Sequence, residues 1–359
     1  MRRAATALMA RSAEERAIPK GATSAATTFE VRREVLVAVA RRWGAKTTHA
    51  AAIDVGSFPE PGDLGLTSAL GAVYEGLLEL EIAIEGRRAR AVASESRRRA
   101  GAHFTSPEVA ADLARRTLEP LVAKSGDVLA LRICDPSMGS GVFLAAAAAF
   151  LAKVGRVPER EVIARSLFGI DRDPLAVEAA RLALSTIAGD EASNRALAQN
   201  LVRGNAVVSP DGAPAELATE ALDWERAFAD VLGRGRGFDA VLGNPPWVAY
   251  AGRAAQPLSR DLHAYFRRRF TAFAKYRTLQ GVFVARGVEA LAPGGRLGFV
   301  LPTSMADLAG YAPVRRAHDT LAMADRNLVD YGADAFDGVF QPAMGLCSTR
   351  RDQAVEPAD

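Results

Sequence analysis

The tetrapeptide Asn244-Pro245-Pro246-Trp247 directly follows an apolar run, Phe238 to Gly243. Two consecutive prolines fix φ and remove two N–H donors, so this loop presents hydrogen-bond acceptors with little competition from local backbone pairing. The Asn244 carboxamide oxygen and the Pro245 carbonyl can together accept both hydrogens of an amino group, and Trp247 offers a flat face for a planar ring. Two further segments carry complementary chemistry. Asp135-Pro136-Ser137-Met138-Gly139-Ser140-Gly141 lies between an apolar run and a helical pattern. Its glycines let backbone approach a ligand, and the helix N-terminus beyond supplies unpaired N–H groups for an anionic or polar group. Gly169-Ile170-Asp171 ends another apolar run and places a carboxylate where nucleoside sites hold ribose hydroxyls. Taken singly, each segment has an ordinary reading: a rigid turn with a buried tryptophan, a plain strand-to-helix turn, and a surface acid.

These segments need a scaffold that brings strand ends together. From Gly101 onward, short apolar runs alternate with helical patterns. Leu131 to Cys134, Leu167 to Ile170, Phe238 to Leu242 and Leu297 to Leu301 read as buried parallel strands. Helices are predicted at Val142 to Val154, Pro174 to Ile187 and Gly281 to Leu291, the second with Asp173 as N-cap and Pro174 at its first position. The alternation predicts an α/β fold with a doubly wound sheet and helices on both faces, whose ligand sites lie at the carboxyl ends of the strands. Upstream, Leu70, Val73, Tyr74, Leu77 and Leu78 follow helical spacing, so Ser68 to Ile84 reads as a helix within a small helical region. Between Arg87 and Arg99, six arginines against the single acid Glu95 read as an exposed basic linker, which closes the first region near residue 100.

Composition narrows the class. A chain of 359 residues, 49% hydrophobic and 24% charged, can bury a full α/β core and a second, smaller region. Lys and Arg number 45 against 42 Asp and Glu, and a net charge of +3 is too small to imply a polyanionic partner by itself. Cys134 and Cys347 are the only cysteines, and their separation offers neither a disulfide framework nor zinc-ligand spacing. They point to a reducing cytoplasm and to no metal. No apolar run approaches the roughly 18 residues that span a bilayer, and Met1 to Ala26 lacks a secretory apolar block, so no membrane partner is expected.

In order along the chain, the segments Gly101 to Ala110, Asp135 to Gly141, Gly169 to Pro174, Arg203 to Ala206, Asn244 to Trp247 and Gly294 to Thr303 resemble the motifs of adenine-N6 DNA methyltransferases of restriction-modification and phage-defence systems. The stretch Leu70 to Leu78 is similar to the helix that precedes the first motif in large fused members of those systems. The resemblance implies a class I, Rossmann-like methyltransferase sheet and S-adenosylmethionine as cofactor. It assigns Phe104 and Thr105 to the methionine part of that cofactor, the loop with Asp135, Ser137, Gly139 and Gly141 to its amino and carboxylate groups, Asp171 to its ribose, and Asn205 to the neighbourhood of its adenine. Asn244, Pro245, Pro246 and Trp247 become the catalytic loop, which receives a flipped-out adenine for direct methyl transfer. Neither cysteine follows a proline, unlike the nucleophile of cytosine-C5 methyltransferases.

Between Gly252 and Gln280, Arg253, Arg260, Arg267, Arg268, Arg269, Lys275 and Arg277 face only Asp261. Among these, Arg253, Arg267, Arg268, Arg269, Lys275 and Arg277 are the candidate DNA contacts, with an ordinary solvated face as the alternative. Phe266, Phe270 and Phe273 share a helical face and read as core. Only 39 positions separate Asn205 from Asn244, so the gamma-type motif order puts any recognition domain after the catalytic one. The expected organisation is a helical region and linker over 1–100, a methyltransferase domain over 101–330, and a stub over 331–359 leading to an absent recognition domain. The expected partners are DNA and a separate target-recognition or nuclease polypeptide. The segment Gln280-Gly281-Val282 departs from an Asp-Leu-Tyr stretch common in relatives. An RNA-adenine or protein-glutamine methyltransferase, and a noncatalytic or partner-dependent remnant, remain as alternatives.

Overall fold

The structure, a computed structural model, describes the chain except residues 17, 19–21, 45–52, 54, 56–57, 62–64, 86–87, 95–104, 234–235, 253–254, 327, 334–340 and 356–359. Helices α1 (Arg2–Glu14), α2 (Ser24–Arg42) and α3 (Leu66–Leu78) open it, followed by strands β1 (Leu80–Glu85) and β2 (Arg88–Ala93). Then come α4 (Pro107–Ser125), β3 (Ile133–Asp135), α5 (Val142–Gly155), α6 (Glu159–Ser166), β4 (Leu167–Asp171), α7 (Pro174–Ala188), α8 (Glu191–Asn200) and β5 (Leu201–Arg203). Two single-turn helices, α9 (Trp224–Ala227) and α10 (Ala229–Leu232), precede β6 (Phe238–Gly243), α11 (Arg260–Arg269), α12 (Leu279–Ala290) and β7 (Leu291–Pro302). The chain closes with α13 (Ala312–Leu321), β8 (Ala322–Ala324), β9 (Val329–Gly332) and β10 (Ala343–Arg350).

The main sheet has the order β5-β4-β3-β6-β7-β10-β8, with β9 also paired to β10. Its first five strands run parallel, and β10 is antiparallel to each of its neighbours. Because helices cover both faces, alternate residues of one strand enter different cores. Val241 and Leu297 join Phe266, Phe270, Phe273 and Val282 on one side, whereas Ala240, Leu242 and Val300 join Leu113, Leu144 and Ala180 on the other. The phenylalanines of the basic segment are therefore core, as expected, though not on one helical face, since α11 ends at Arg269 and Phe270 and Phe273 lie beyond it.

Strand order reverses at β3, which has β4 on one side and β6 on the other. The loops leaving these strands part there, and the crevice between them is where a doubly wound sheet binds its ligand. The predicted N-cap of α7 is present, with Asp173 accepting the Leu175 N–H at 2.9 Å.

Three expectations change. The first helix ends at Leu78 instead of Ile84, because the residues beyond it alternate with period two: Ile82 pairs with Ala91, and Ile84 with Ala89, in an antiparallel hairpin. Part of the supposed linker is thus strand β2, with Arg88 and Arg90 exposed and Ala89 buried. The segment from residue 331, read as a stub, contributes β10, which pairs with β7 from Ala343–Pro302 to Thr349–Arg296 inside the sheet. No helix of the described residues is long and apolar enough to cross a membrane.

The N-terminal helices share a core with the sheet domain. Leu70, Val73 and Leu77 of α3 and Val35 and Val39 of α2 cluster with Leu175, Ala176, Ala179 and Leu182 of α7. On its other face α7 packs Val177, Ala180 and Leu184 into the core beneath the sheet. A helix apolar nearly all round requires such double burial. Arg33 of α2 fixes the contact with a bidentate pair to Glu178, at 2.8 and 3.1 Å.

This shared core predicts one cooperative unfolding event. Leu70→Ala, at a fully buried position, is expected to destabilise the chain by about 2–5 kcal/mol and to lower a single thermal transition. Two separate transitions in calorimetry would show that the N-terminal region folds on its own.

Candidate active site

The carboxyl ends of β3 and β6 approach more closely than side chains at both would permit. Asp135 ends β3 fully buried, and a Cβ on Gly243 would lie 2.5 Å from its Oδ1. Glycine at 243 is therefore a packing requirement. One Asp135 oxygen, Oδ1, accepts the Ser137 N–H at 3.0 Å, while Oδ2 is buried with no hydrogen-bond partner among the described residues. Ser137 Oγ in turn donates to the Asn244 carbonyl at 3.3 Å and ties the two loops together.

Asn244 lies at the end of β6. Its Nδ2 donates to Thr105 Oγ1 at 3.2 Å, so the carboxamide is turned with its oxygen the other way. That oxygen is buried and has no partner among the described residues. An unsatisfied buried acceptor costs about 1–3 kcal/mol, and this one is open to a donor that the described residues do not supply. Thr105 is itself buried, immediately before Ser106, which caps α4 by accepting the Val109 N–H. Phe104 and Arg253 fall outside the described residues.

Pro245 is buried, and Pro246 and Trp247 are half-buried. Trp247 packs its ring against the core under the sheet, and its indole N–H donates to the Val300 carbonyl in β7 at 3.4 Å. These two contacts fix the orientation of the ring. After it, the chain is clamped: the Val248 N–H donates to Gln280 Oε1 at 3.1 Å, the Leu279 N–H donates to the Val248 carbonyl at 2.8 Å, and the Tyr250 N–H donates to the Arg277 carbonyl at 2.8 Å. Gln280 is buried, and its other amide atom reaches Tyr311 Oη at 3.4 Å. Sequence reasoning gave Gln280 no role, since nothing local reveals that a residue at the start of α12 will hold a loop more than 30 positions upstream.

On the β4 side, Asp171 Oδ2 accepts the Gly139 N–H and Oδ1 accepts the Asp173 N–H, each at 2.9 Å. Each oxygen keeps a second lone pair. Gly139 has φ of +52°, and a Cβ there would project into open space. Gly141, with φ of +88°, is also left-handed, and a Cβ there would in addition press on Ala180 at 3.3 Å. Asn205 follows β5, where its Oδ1 accepts the Val207 N–H at 3.2 Å and its N–H donates to the Glu220 carbonyl. The ends of β3, β4, β5 and β6 thus gather Asp135, Ser137, Gly139, Asp171, Asn205 and Asn244 along one edge of the sheet.

Burial pushes the Asp135 carboxyl up to about 8, with the Ser137 N–H offsetting part of the effect and the charge of Asp171 adding to it. Burial likewise raises Asp171 to about 6, against the N–H groups of Asp173 and Gly139 and with the charge of Asp173.

The candidate nucleic-acid contacts divide. Arg267 and Lys275 are exposed, and Lys275 adopts φ of +53°. Arg269 forms a bidentate pair with Glu289 of α12 at 2.6 and 3.1 Å and lies over the Phe270 ring, while Arg268 reaches the Gly212 carbonyl and lies over Tyr265. Arg277 contacts His263 Nε2 at 2.7 Å. The charge imbalance of the segment is thus partly met by an acid from a distant element. Among the described residues no cluster of His, Cys, Asp or Glu is arranged to hold a metal ion.

Residues 165–336 match the Eco57I restriction-modification methylase family. The chain is 30% identical over 131 residues to a type II methyltransferase of Thermus thermophilus, a match covering 34% of this chain and 30% of that protein. It is 27% identical over 229 residues to the adenine-specific methyltransferase PglX of Streptomyces coelicolor, covering 52% of this chain and 19% of PglX. The chain therefore spans less than a third of the length of either relative. In fold it resembles a Listeria monocytogenes protein assigned to the class I S-adenosylmethionine-dependent methyltransferases, with a TM-score of 0.54 and 13% identity over 100% of this chain and 90% of that one. It also resembles DrdV in its complex with DNA, with a TM-score of 0.56 and 16% identity over 79% of this chain and 29% of that one. The architecture is the class I methyltransferase fold.

The two carboxyls set a pH dependence. Both groups start from an ordinary value of 3.8. Their folded-state values lie higher, so the stabilisation they contribute is complete below the unfolded value and is lost as pH rises through about 6 and then about 8. The melting temperature of the ligand-free protein is expected to fall across that range, and Asp135→Asn to flatten the upper part of the fall. A profile unchanged by the substitution would remove the case for a neutral Asp135 at pH 7.

Proposed function

We propose that the chain is the catalytic part of a DNA methyltransferase that transfers a methyl group from S-adenosylmethionine to the N6 amino group of adenine. The observation that carries this reading is Asn244 Oδ1, a buried acceptor without a partner at the end of the central strand β6, followed by two prolines that bring no N–H donor. The match to a restriction-modification methylase family and the likeness to an adenine-specific relative support it. DNA as the substrate is supported by the similar fold in the DrdV complex and in LlaBIII bound to DNA, the latter with a TM-score of 0.51 and 12% identity over 71% of this chain and 19% of that one.

The residues along the sheet edge fit the cofactor. Asp135 Oδ2, buried and unpartnered, is suited to an ammonium group, and the spare lone pairs of Asp171 are suited to ribose hydroxyls. Ser137, Gly139 and Gly141 shape the loop for the methionine end, Thr105 closes that side, and Asn205 lies beside the nucleoside base. Bound there, S-adenosylmethionine supplies a methyl group on a positively charged sulfur, an electrophile that needs no covalent enzyme intermediate. Asn244 Oδ1 and the Pro245 carbonyl accept the two amino hydrogens of the substrate. These bonds favour a tetrahedral nitrogen whose lone pair is withdrawn from the ring and directed at the methyl carbon. S-adenosylmethionine held there would supply the methyl group and keep the C–S electron pair on its sulfur as a neutral thioether, and the amino group would lose one proton to solvent.

An adenine inside a duplex cannot enter such a crevice, so it is flipped out at a cost on the order of a few kcal/mol. Trp247 provides a stacking face for the extruded base, and Arg267, Arg268 and Lys275 provide the phosphate contacts, with Arg269 and Arg277 as further contacts.

Asn244→Ala is expected to leave the S-adenosylmethionine Kd within about twofold while lowering methyl transfer at least about a hundredfold, because the lost bond matters chiefly in the transition state. Calorimetry and a tritiated-methyl assay on adenine-containing DNA measure the two quantities, and substantial remaining turnover would sink the assigned role. Arg267→Ala and Lys275→Ala should each reduce the slope of log affinity for DNA against log salt by about one. An unchanged slope would return those residues to an ordinary solvated face.

A further inference from the structure

The segment Leu70 to Leu78 takes no part in the mechanism above, yet it reaches the cofactor loops. Tyr74 of α3 is buried, and its hydroxyl donates to Asp173 Oδ2 at 2.7 Å across 99 positions of sequence. Burial and the neighbouring Asp173 charge raise the phenol well above its ordinary value, so Tyr74 holds its proton and is the donor. Asp173 distributes that contact. Its Oδ1 caps α7 through the Leu175 N–H, and its own N–H donates to Asp171 Oδ1. Asp171 Oδ2 then accepts from Gly139 in the glycine loop. A continuous series of hydrogen bonds therefore runs from a helix outside the sheet domain, through the turn after β4, to the loop after β3.

The helix that carries Tyr74 is itself rigidly placed. Leu70, Val73 and Leu77 pack on Leu175, Ala176 and Ala179 of α7. Arg32 of α2 donates from Nε to the Leu77 carbonyl at 2.9 Å, an acceptor left over at the end of α3, and from Nη2 to the Leu80 carbonyl at the start of β1. Gly76 lets α1 approach so closely that a Cβ would lie 2.3 Å from the Arg2 carbonyl oxygen.

We infer that Tyr74 is a positioning residue for cofactor binding: through Asp173 it fixes the carboxylate of Asp171, so the N-terminal helical region forms part of the cofactor site. The inference rests on the assignment of Asp171 to the ribose. Without the hydroxyl, Asp173 and the turn carrying Asp171 lose one of their restraints, and the carboxylate must be ordered when the cofactor binds.

The test is calorimetric titration of the full chain with S-adenosylmethionine, with thermal denaturation of each ligand-free variant alongside. Tyr74→Phe removes one oxygen and keeps the ring, and it is expected to weaken binding roughly three- to tenfold, the range of one hydrogen bond. In an Asp171→Asn background the same substitution should have little further effect, because the group being positioned is already altered. An unchanged Kd for Tyr74→Phe, or an equal loss in both backgrounds, would overturn the inference, since a merely structural tyrosine acts independently of Asp171. If Asp171→Asn alone leaves the Kd unchanged, the ribose assignment fails and the inference with it; if only the Tyr74 effect is missing, the ribose assignment stands. Asp173→Asn keeps an oxygen for the helix cap and removes the charge facing Tyr74, and it should weaken binding in the same direction. It decides the matter should Tyr74→Phe unfold.

Discussion

The approach of β3 to β6 is the constraint on which the site depends. Strand order reverses at β3, so the loops after these two neighbours must diverge, and glycine suits position 243, where φ is +155° and a Cβ would push the Asp135 carboxyl from its place. Everything chemical follows from that proximity. Asp135 is held at the floor of the crevice, and Ser137 can reach the Asn244 carbonyl. The carboxamide of Asn244 then meets Thr105, which arrives from the segment before α4. A larger residue at 243 would separate the loop read as cofactor-binding from the loop read as catalytic.

The electrostatics of this edge suit one class of ligand. Two carboxyls, buried Asp135 and half-buried Asp171, lie near one another, and both are pushed toward the neutral form by desolvation and by the charges of neighbouring acids. No described side chain forms an ion pair with either. Such a pair destabilises the empty site above neutral pH and favours a cation that restores both charges. A ligand with an ammonium, a sulfonium and ribose hydroxyls supplies the charge at one end and the donors at the other.

The sequence made the sheet and the chemistry legible to different degrees. Strands β4, β6 and part of β7 are apolar on both faces, and the turns after β3, β4 and β6 carry unusual residues, so both could be read locally. Strands β1 and β2 were hidden because alternation in small residues such as Ala89 and Ala91 is a weak signal, and arginines dominate the composition. Strand β10 was missed because its place in the sheet comes from pairing with β7, close to 50 positions earlier. The arginine cluster misled in a similar way: counting nearby acids found only Asp261, but Arg269 finds its partner in Glu289 on the next helix. Gln280 and Tyr74 act through contacts that no spacing predicts. Motif residues were visible, and the residues that hold them in place were not.

Those holding residues also account for the selectivity of the proposed crevice. Thr105 takes one hydrogen of the Asn244 carboxamide nitrogen, Gln280 takes the Val248 N–H, and Pro245 and Pro246 have no N–H to offer. Around the reacting position acceptors therefore outnumber donors. An amino group brings two hydrogens to them, whereas a ring carbonyl would set lone pair against lone pair and leave buried acceptors unpaired, at about 1–3 kcal/mol each. Rejection of a base that presents a carbonyl at this position needs no clash, since the competing contacts that would tolerate it have been used to hold the loop. The same acceptors cannot separate adenine from cytosine or guanine, all of which carry an exocyclic amino group. On the proposed reading that choice falls to ring size, and the fixed plane of Trp247, anchored to β7 through its indole N–H, is the surface against which ring size is measured.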